Sequence, residues 1–169
     1  QQVSGGSMEF WNGTFNIHQT FNVPNGKYRL SAQAYYRTSG NDQAYNAYIN
    51  GNADVTTYLY ANQSTQPIAN IYSEFLTSNT GGRYYTPDYI KFFPDDMSAG
   101  TYCFTQGLYH NSVITEVTDG ILTIGLINEN FTTSNWCMFD NFKLEYYGEY
   151  TPATSIMLSQ TELSLTERS

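Results

Sequence analysis

Between Lys27 and Arg37 the chain alternates strictly: Tyr28, Leu30, Ala32, Ala34 and Tyr36 are interleaved with Arg29, Ser31, Gln33, Tyr35 and Arg37. A period of two sends successive side chains to opposite faces of an extended strand, whereas a helix would scatter this pattern around its axis. The segment reads as one strand of an antiparallel sheet, with the Tyr28 to Tyr36 set packed inward and the Arg29 to Arg37 set facing solvent.

The same signal recurs along the chain. Phe15 to Val23 reads as a strand, and Pro24-Asn25-Gly26 turns it into the next, Pro presetting φ and Asn-Gly supplying a positive one. Ala44 to Asn50 reads as a further strand ending in a hairpin turn at Asn50-Gly51, with Val55 to Ala61 returning. Tyr109 to Val117 and Ile121 to Asn128 follow, joined at Asp119-Gly120, and Trp136 to Tyr147 closes the set. The stretch 62–93, with Gly81-Gly82 and two prolines, reads as an aromatic-rich loop system with short strands at most. One helix is predicted, from about Asp95 to Gln106, opened by acidic residues that suit the helix dipole and stopped by Gly107. Seven or so strands and one short helix predict an all-β protein, a Greek-key β-sandwich.

The pattern changes after Tyr147. Residues 1–148 make one sandwich-sized domain, whereas 149–169 read as a linker followed by the first strands of a second domain that has been cut away. Ile156, Leu158, Leu163 and Leu165 are the apolar positions of that tail.

Charge narrows the partners. Seven Lys and Arg stand against fifteen Asp and Glu, a formal charge of −8. A nucleic-acid binder must neutralise phosphates and an anionic membrane attracts basic segments, so neither partner suits this chain. Charged residues are only 13% of the chain, leaving a neutral polar surface of Asn, Gln, Ser and Thr that is compatible with polyhydroxylated ligands. Cys103 and Cys137 fit no metal spacing; a disulfide and a pair of free buried thiols both remain open readings. His18 and His110 are isolated, so zinc has no support.

Several segments resemble a known family. Glu9-Phe10-Trp11-Asn12, with Phe15 to Thr20 and Pro24-Asn25-Gly26-Lys27-Tyr28-Arg29-Leu30-Ser31, looks like its opening. Asp119-Gly120-Ile121-Leu122-Thr123-Ile124-Gly125 and Asn135-Trp136-Cys137-Met138-Phe139-Asp140-Asn141-Phe142-Lys143-Leu144 look like its close. Together they are similar to the galactose-binding-like jelly-roll modules in secreted or surface proteins of polysaccharide-degrading gut bacteria. The tail from Ala153 to Leu165 resembles the start of a bacterial immunoglobulin-like group 2 domain. The resemblance implies a poly- or oligosaccharide partner, an extracytoplasmic location and further domains in the same polypeptide. It also implies a structural Ca²⁺, with Glu9 near the first strand and Asp140 on the last in positions similar to the family's carboxylates.

Sugar recognition needs an aromatic face flanked by a few placed polar groups. Trp11, just before the first strand, is one candidate, an exposed platform or a buried core side chain. Trp136 reads as core. Arg83, Tyr84 and Tyr85, after Gly81-Gly82, form an aromatic candidate on a loop. Tyr35 and Arg37 are carried as candidate contacts on the polar strand face, where the Arg fork suits hydroxyls or a uronic-acid carboxylate, against the simpler role of a solvated face. Tyr58 and Tyr60 share one face of a strand, and packing against a neighbouring loop is the expected role there. Asp95-Asp96 read as helix-start partners. The leading expectation is a non-catalytic carbohydrate-binding module. A structural or protein-adhesion spacer and, further off, a glycoside hydrolase domain are the alternatives, the chain carrying no nucleophile elbow, phosphate loop or Cys–His context.

Overall fold

The computed structural model describes residues 2–4, 6–77, 83–85 and 88–149, and the side chains of 6–77 and 91–149. The predicted immunoglobulin-like start, from Tyr150 to Ser169, lies outside the described residues. In chain order the elements are β1 (Gln2–Ser4), β2 (Ser7–Trp11), β3 (Phe15–Asn22), β4 (Gly26–Arg37), α1 (Asn41–Ile49), β5 (Thr57–Ala61) and β6 (Ser64–Pro67). Then come β7 (Ala69–Asn70), β8 (Arg83–Tyr85), β9 (Asp88–Phe93), α2 (Met97–Thr105), β10 (His110–Val117), β11 (Ile121–Asn128) and β12 (Trp136–Tyr146).

Two antiparallel sheets dominate. The larger runs β2-β12-β4-β10, with β1 added beyond β2 and β7 lying parallel to the end of β4. The smaller runs β3-β11-β5-β6, and β8 pairs with β9 separately. The chain crosses between the sheets at β2–β3, β3–β4, β4–β5, β6–β7, β10–β11 and β11–β12. That strand order is a jelly roll, an all-β sandwich.

The alternation of β4 explains why it sits at the centre. Tyr28, Leu30, Ala32, Ala34 and Tyr36 enter the core between the sheets, with Cys137 and Phe139 of β12, Leu59 and Ala61 of β5, and Leu122 and Leu126 of β11. The opposite face corrects the expectation of solvent. In the second half of β4 Gln33, Tyr35 and Arg37 are buried as well. A second core covers them, built from Tyr35, Trp136 and Met138 of the sheet, Ala44 of α1, Met97, Cys103 and Phe104 of α2, and Ile71, Tyr72, Leu76, Phe93 and Tyr109. At this end the large sheet is therefore buried on both faces, giving three layers, whereas toward its other end Arg29 and Ile114 keep access to solvent. Gln33 is tolerated there because its bonds are met inside: its Nε2 donates to the carbonyls of Phe104 and Leu108 at 2.8 Å each.

A second correction concerns residues 44–50, which are the later part of α1 and its cap and not a strand. Asn50-Gly51 is its C-terminal cap: the Gly51 N–H donates to the Tyr48 carbonyl at 3.1 Å and the Asn52 N–H to that of Ala47 at 2.8 Å. That bond pair with a left-handed Gly51 (φ 71°) is a Schellman ending. The helix predicted after Pro94 is present as α2, capped by Asp96, whose Oδ1 accepts from the Ala99 N–H at 2.8 Å. Among the described residues the fold thus has two short helices where one was expected.

Both cysteines are free and buried. Cys137 lies in the core between the sheets and Cys103 in the second core, so the large sheet separates them. Burial pushes the Cys103 thiol from 9.0 up to about 12 and raises Cys137 and the phenols of Tyr35 and Tyr109 well above their ordinary values. These groups hold their protons more tightly folded than unfolded, so their contribution is complete below the unfolded values and is lost as pH rises toward the folded ones. The melting temperature is expected to stay level to about pH 8.5 and to fall between 9.0 and about 12. Thermal melts across that range check it, and a level profile would show that these groups ionise without unfolding the protein.

Candidate functional site

The loop end of the sandwich, where β2 and β4 finish and β12 begins, collects the chemistry. Trp136 stands opposite both Trp11 and Arg37, so the three residues form one cross-strand row over β2, β12 and β4. Their alternation puts all three on the face that carries the second core. The core stops short of β2's end, however, leaving Trp11 52% exposed while Trp136 is buried.

Arg37 joins the two rings. Its guanidinium carbon lies 5.3 Å from the centroid of each indole, and the residue is only 4% exposed. A desolvated cation over an aromatic face is worth about 2 kcal/mol, enough to fix the orientation of a half-exposed ring. Arg37 also lies 4.0 Å from the Asp95 carboxylate, which accepts a hydrogen bond from Asn41 of α1. The Trp136 indole N–H donates to Glu9 Oε2 at 2.6 Å. Asn12, in a left-handed conformation (φ 54°), turns the chain after Trp11; its N–H donates to the Asn135 carbonyl at 2.8 Å. The platform is held on each side before any ligand arrives.

Trp11, Arg37, Trp136 and Glu9 line a groove of about 510 Å³ together with Asn41, Asp95, Asp96 and Ser98. Among the described residues its lining carries three carboxylates and one Arg that faces a carboxylate, an acidic balance that disfavours an anionic ligand. The chemistry on offer is stacking on an indole face combined with neutral and anionic acceptors and a carboxamide, a set suited to hydroxyl groups.

A second groove, of about 620 Å³, adjoins the same segment. Arg37 and Asn41 line the first groove while Thr38, Ser39 and Gln43 line the second, so residues 37–43 form the ridge between them. Phe131 projects here, 57% exposed, with Asn52 and Asp54 nearby. Its loop is fixed by the Asn130 N–H donating to Asn128 Oδ1 at 2.9 Å and by the Thr132 hydroxyl donating to the Thr38 carbonyl.

Of the residues singled out in the sequence, the fold brings Trp11, Arg37 and Glu9 together. Tyr35 does not reach the site: it is 0% exposed, its hydroxyl donating to Met138 Sδ at 3.1 Å under the helices, which corrects its candidacy as a ligand contact. Arg83, Tyr84 and Tyr85 form strand β8, and their side chains lie outside the described residues. Asp140 lies further along β12, accepting from the Ser7 hydroxyl and the Asn141 N–H, each at 2.7 Å. Two carboxylates fall short of the six to eight oxygens that calcium takes. Among the described residues no group of three His, Cys, Asp or Glu side chains converges to supplement Glu9 and Asp140.

Phe131, Gln43 and Asn52 were missed in the sequence. The available signal was a lone aromatic in the polar run Asn128-Glu129-Asn130-Phe131-Thr132-Thr133-Ser134-Asn135 between two strands. Comparison with protein-family models, curated proteins and solved structures returned no match. Among the described residues no helix is long and apolar enough to cross a membrane.

Proposed function

We propose that this chain is a non-catalytic carbohydrate-binding module that takes a neutral oligo- or polysaccharide at its loop end. The observation that carries the reading is Trp11, a solvent-facing indole preset by a buried Arg37 and bordered by Asn41, Asp95, Asp96 and Ser98. Stacking on the indole supplies affinity, and the polar rim reads hydroxyl orientation. The Arg37 guanidinium positions the ring; it is not a carboxylate clamp, because Asp95 already faces it. The resemblance to galactose-binding-like modules of exported bacterial proteins agrees with this reading and adds an extracytoplasmic setting. Within a longer polypeptide the value of such a module is avidity, raising the local concentration of its neighbours at a polymer.

The test is a glycan-array screen of the folded chain followed by calorimetry on each hit. Neutral glycans are expected among the hits and polyuronates are not. Phe131→Ala is expected to weaken a glycan long enough to cross the ridge about three- to tenfold, the ~1 kcal/mol of an ordinary contact residue, and to leave a monosaccharide unaffected. Silence across plant, host and microbial polysaccharides from a folded chain would leave a structural or protein-adhesion spacer as the better reading.

A further inference from the structure

The two helices pack on the large sheet, and the outer face of the small sheet carries a different organisation. At its centre Gly125 of β11 stands opposite Tyr60 of β5. A Cβ at Gly125 would sit 2.6 Å from two ring carbons of Tyr60 and 2.4 Å from the Ile17 carbonyl oxygen. Only glycine therefore lets this ring lie down across β11. The phenol reaches the far strand, where its hydroxyl donates to Asn16 Oδ1 of β3 at 2.9 Å. Tyr58, two residues earlier on the same face, stands opposite Ile127 and is half-buried. The expected covering loop is replaced by an open groove of about 400 Å³, which Tyr58 and Tyr60 line together with Asn16, Gln63, Thr65 and Glu129.

A cross-strand Gly–Tyr pair stabilises a sheet by itself, but it does not call for carboxamides, a hydroxyl and a carboxylate gathered around the rings. Asn16, Gln63, Thr65 and Glu129 are all exposed and belong to different strands or turns. Among the described residues the lining holds one carboxylate and no cation, so an anionic occupant is disfavoured, while two rings with planar amides beside them match a neutral sugar's C–H face and hydroxyls. The groove is open along the sheet surface, which suits a run of residues in a chain more than the end of one.

We propose that the outer face of the small sheet is a second saccharide site, in which Tyr58 and Tyr60 stack residues of a neutral glycan chain and Asn16, Gln63 and Glu129 bond its hydroxyls. It shares its ligand class with the proposed function, and none of its residues belongs to the loop-end site. Two sites on separate faces make the module bivalent toward a polymer. Retention by a polymer then exceeds what either site gives with a short oligosaccharide.

The experiment is an amide NMR titration of the whole chain with cello-, xylo-, manno- and maltohexaose, alongside affinity electrophoresis in the corresponding polymers. At least one hexaose is expected to shift the amides of Tyr58 to Asn62 and Gly125 to Ile127. Those shifts should persist in Trp11→Ala and disappear in Tyr58→Ala/Tyr60→Ala. Because removing the Tyr60 ring bares Gly125 and risks the sheet, Gln63→Ala/Glu129→Ala serves as the second variant. It changes only exposed side chains and is expected to weaken the same shifts about three- to tenfold. Shifts confined to the Trp11 region would overturn the sheet-face site and leave the loop-end reading standing. Shifts confined to the sheet face would do the reverse, and shifts at neither place would end both. Sheet-face amides that move with protein concentration and not with sugar would mark a self-association surface and overturn the proposal.

Discussion

Trp11→Ala is expected to weaken glycan binding at the loop-end site about 30-fold, the ~2 kcal/mol of an interface hot spot, while the fold survives. The indole is half exposed, so its removal uncovers little core. Arg37 keeps its contact with the Trp136 ring and its approach to Asp95, and Trp136 keeps its bond to Glu9. The cost to stability should be about 2 kcal/mol, the lost contact with the Arg37 guanidinium, a shift of roughly 4–8 °C for a chain of this size. Trp11→Phe, which retains a smaller stacking face in the same place, should recover part of the affinity. Calorimetry with the tightest array hit and a thermal melt of each variant are sufficient. Unchanged affinity in Trp11→Ala would remove the indole from the site and move the stacking role to Phe131.

How far the sequence announces this arrangement depends on what each residue touches. β3, β10, β11 and the first half of β4 are legible because a buried face next to a wetter one leaves a period of two. β12 is marked only by its apolar start, because Trp136 to Phe139 are all buried, and α2 is legible because Asp96 and Gly107 mark its ends. The stretch 44–50 is legible only as a segment. Ala44, Tyr45 and Tyr48 face the second core from a helix, yet Asn50-Gly51 serves a Schellman ending as well as a hairpin, and local residues do not decide between them. The burial of Gln33, Tyr35 and Arg37 is not legible at all. Their types suit solvent, and it is α1, α2 and residues 69–76, brought over the sheet by the tertiary fold, that enclose them. The site divides the same way. Trp11 is recognisable as an aromatic at a strand end, but its pairing with Arg37 depends on the register of three strands far apart in sequence.

Gly26→Ala should do the opposite of Trp11→Ala, removing stability and sparing affinity. Gly26 opens β4 with φ 145°, a conformation that a Cβ makes costly, and the added Cβ would meet the Gly148 carbonyl oxygen at 2.4 Å and the Tyr146 ring at 2.6 Å. The first contact is with backbone, which has no rotamer to yield. It lies where the Lys27 N–H donates to that same Gly148 carbonyl and the Tyr147 N–H to Lys27. Strained backbone costs about 1–3 kcal/mol and overpacking a similar amount, so a loss of about 3 kcal/mol and roughly 6–12 °C is expected. Gly51→Ala is the control that separates the two causes. Its φ of 71° is also left-handed, but nothing lies within 4 Å of the added Cβ, so strain alone applies and the loss should be about 1 kcal/mol. Equal losses at the two positions would mean that the close approach at Gly26 carries no cost. Gly26 and Arg37 stand at opposite ends of a twelve-residue strand, roughly 36 Å apart at strand rise. Damage at one end should therefore leave the Trp11 groove, and its affinity for a saccharide, unchanged below the lowered melting temperature.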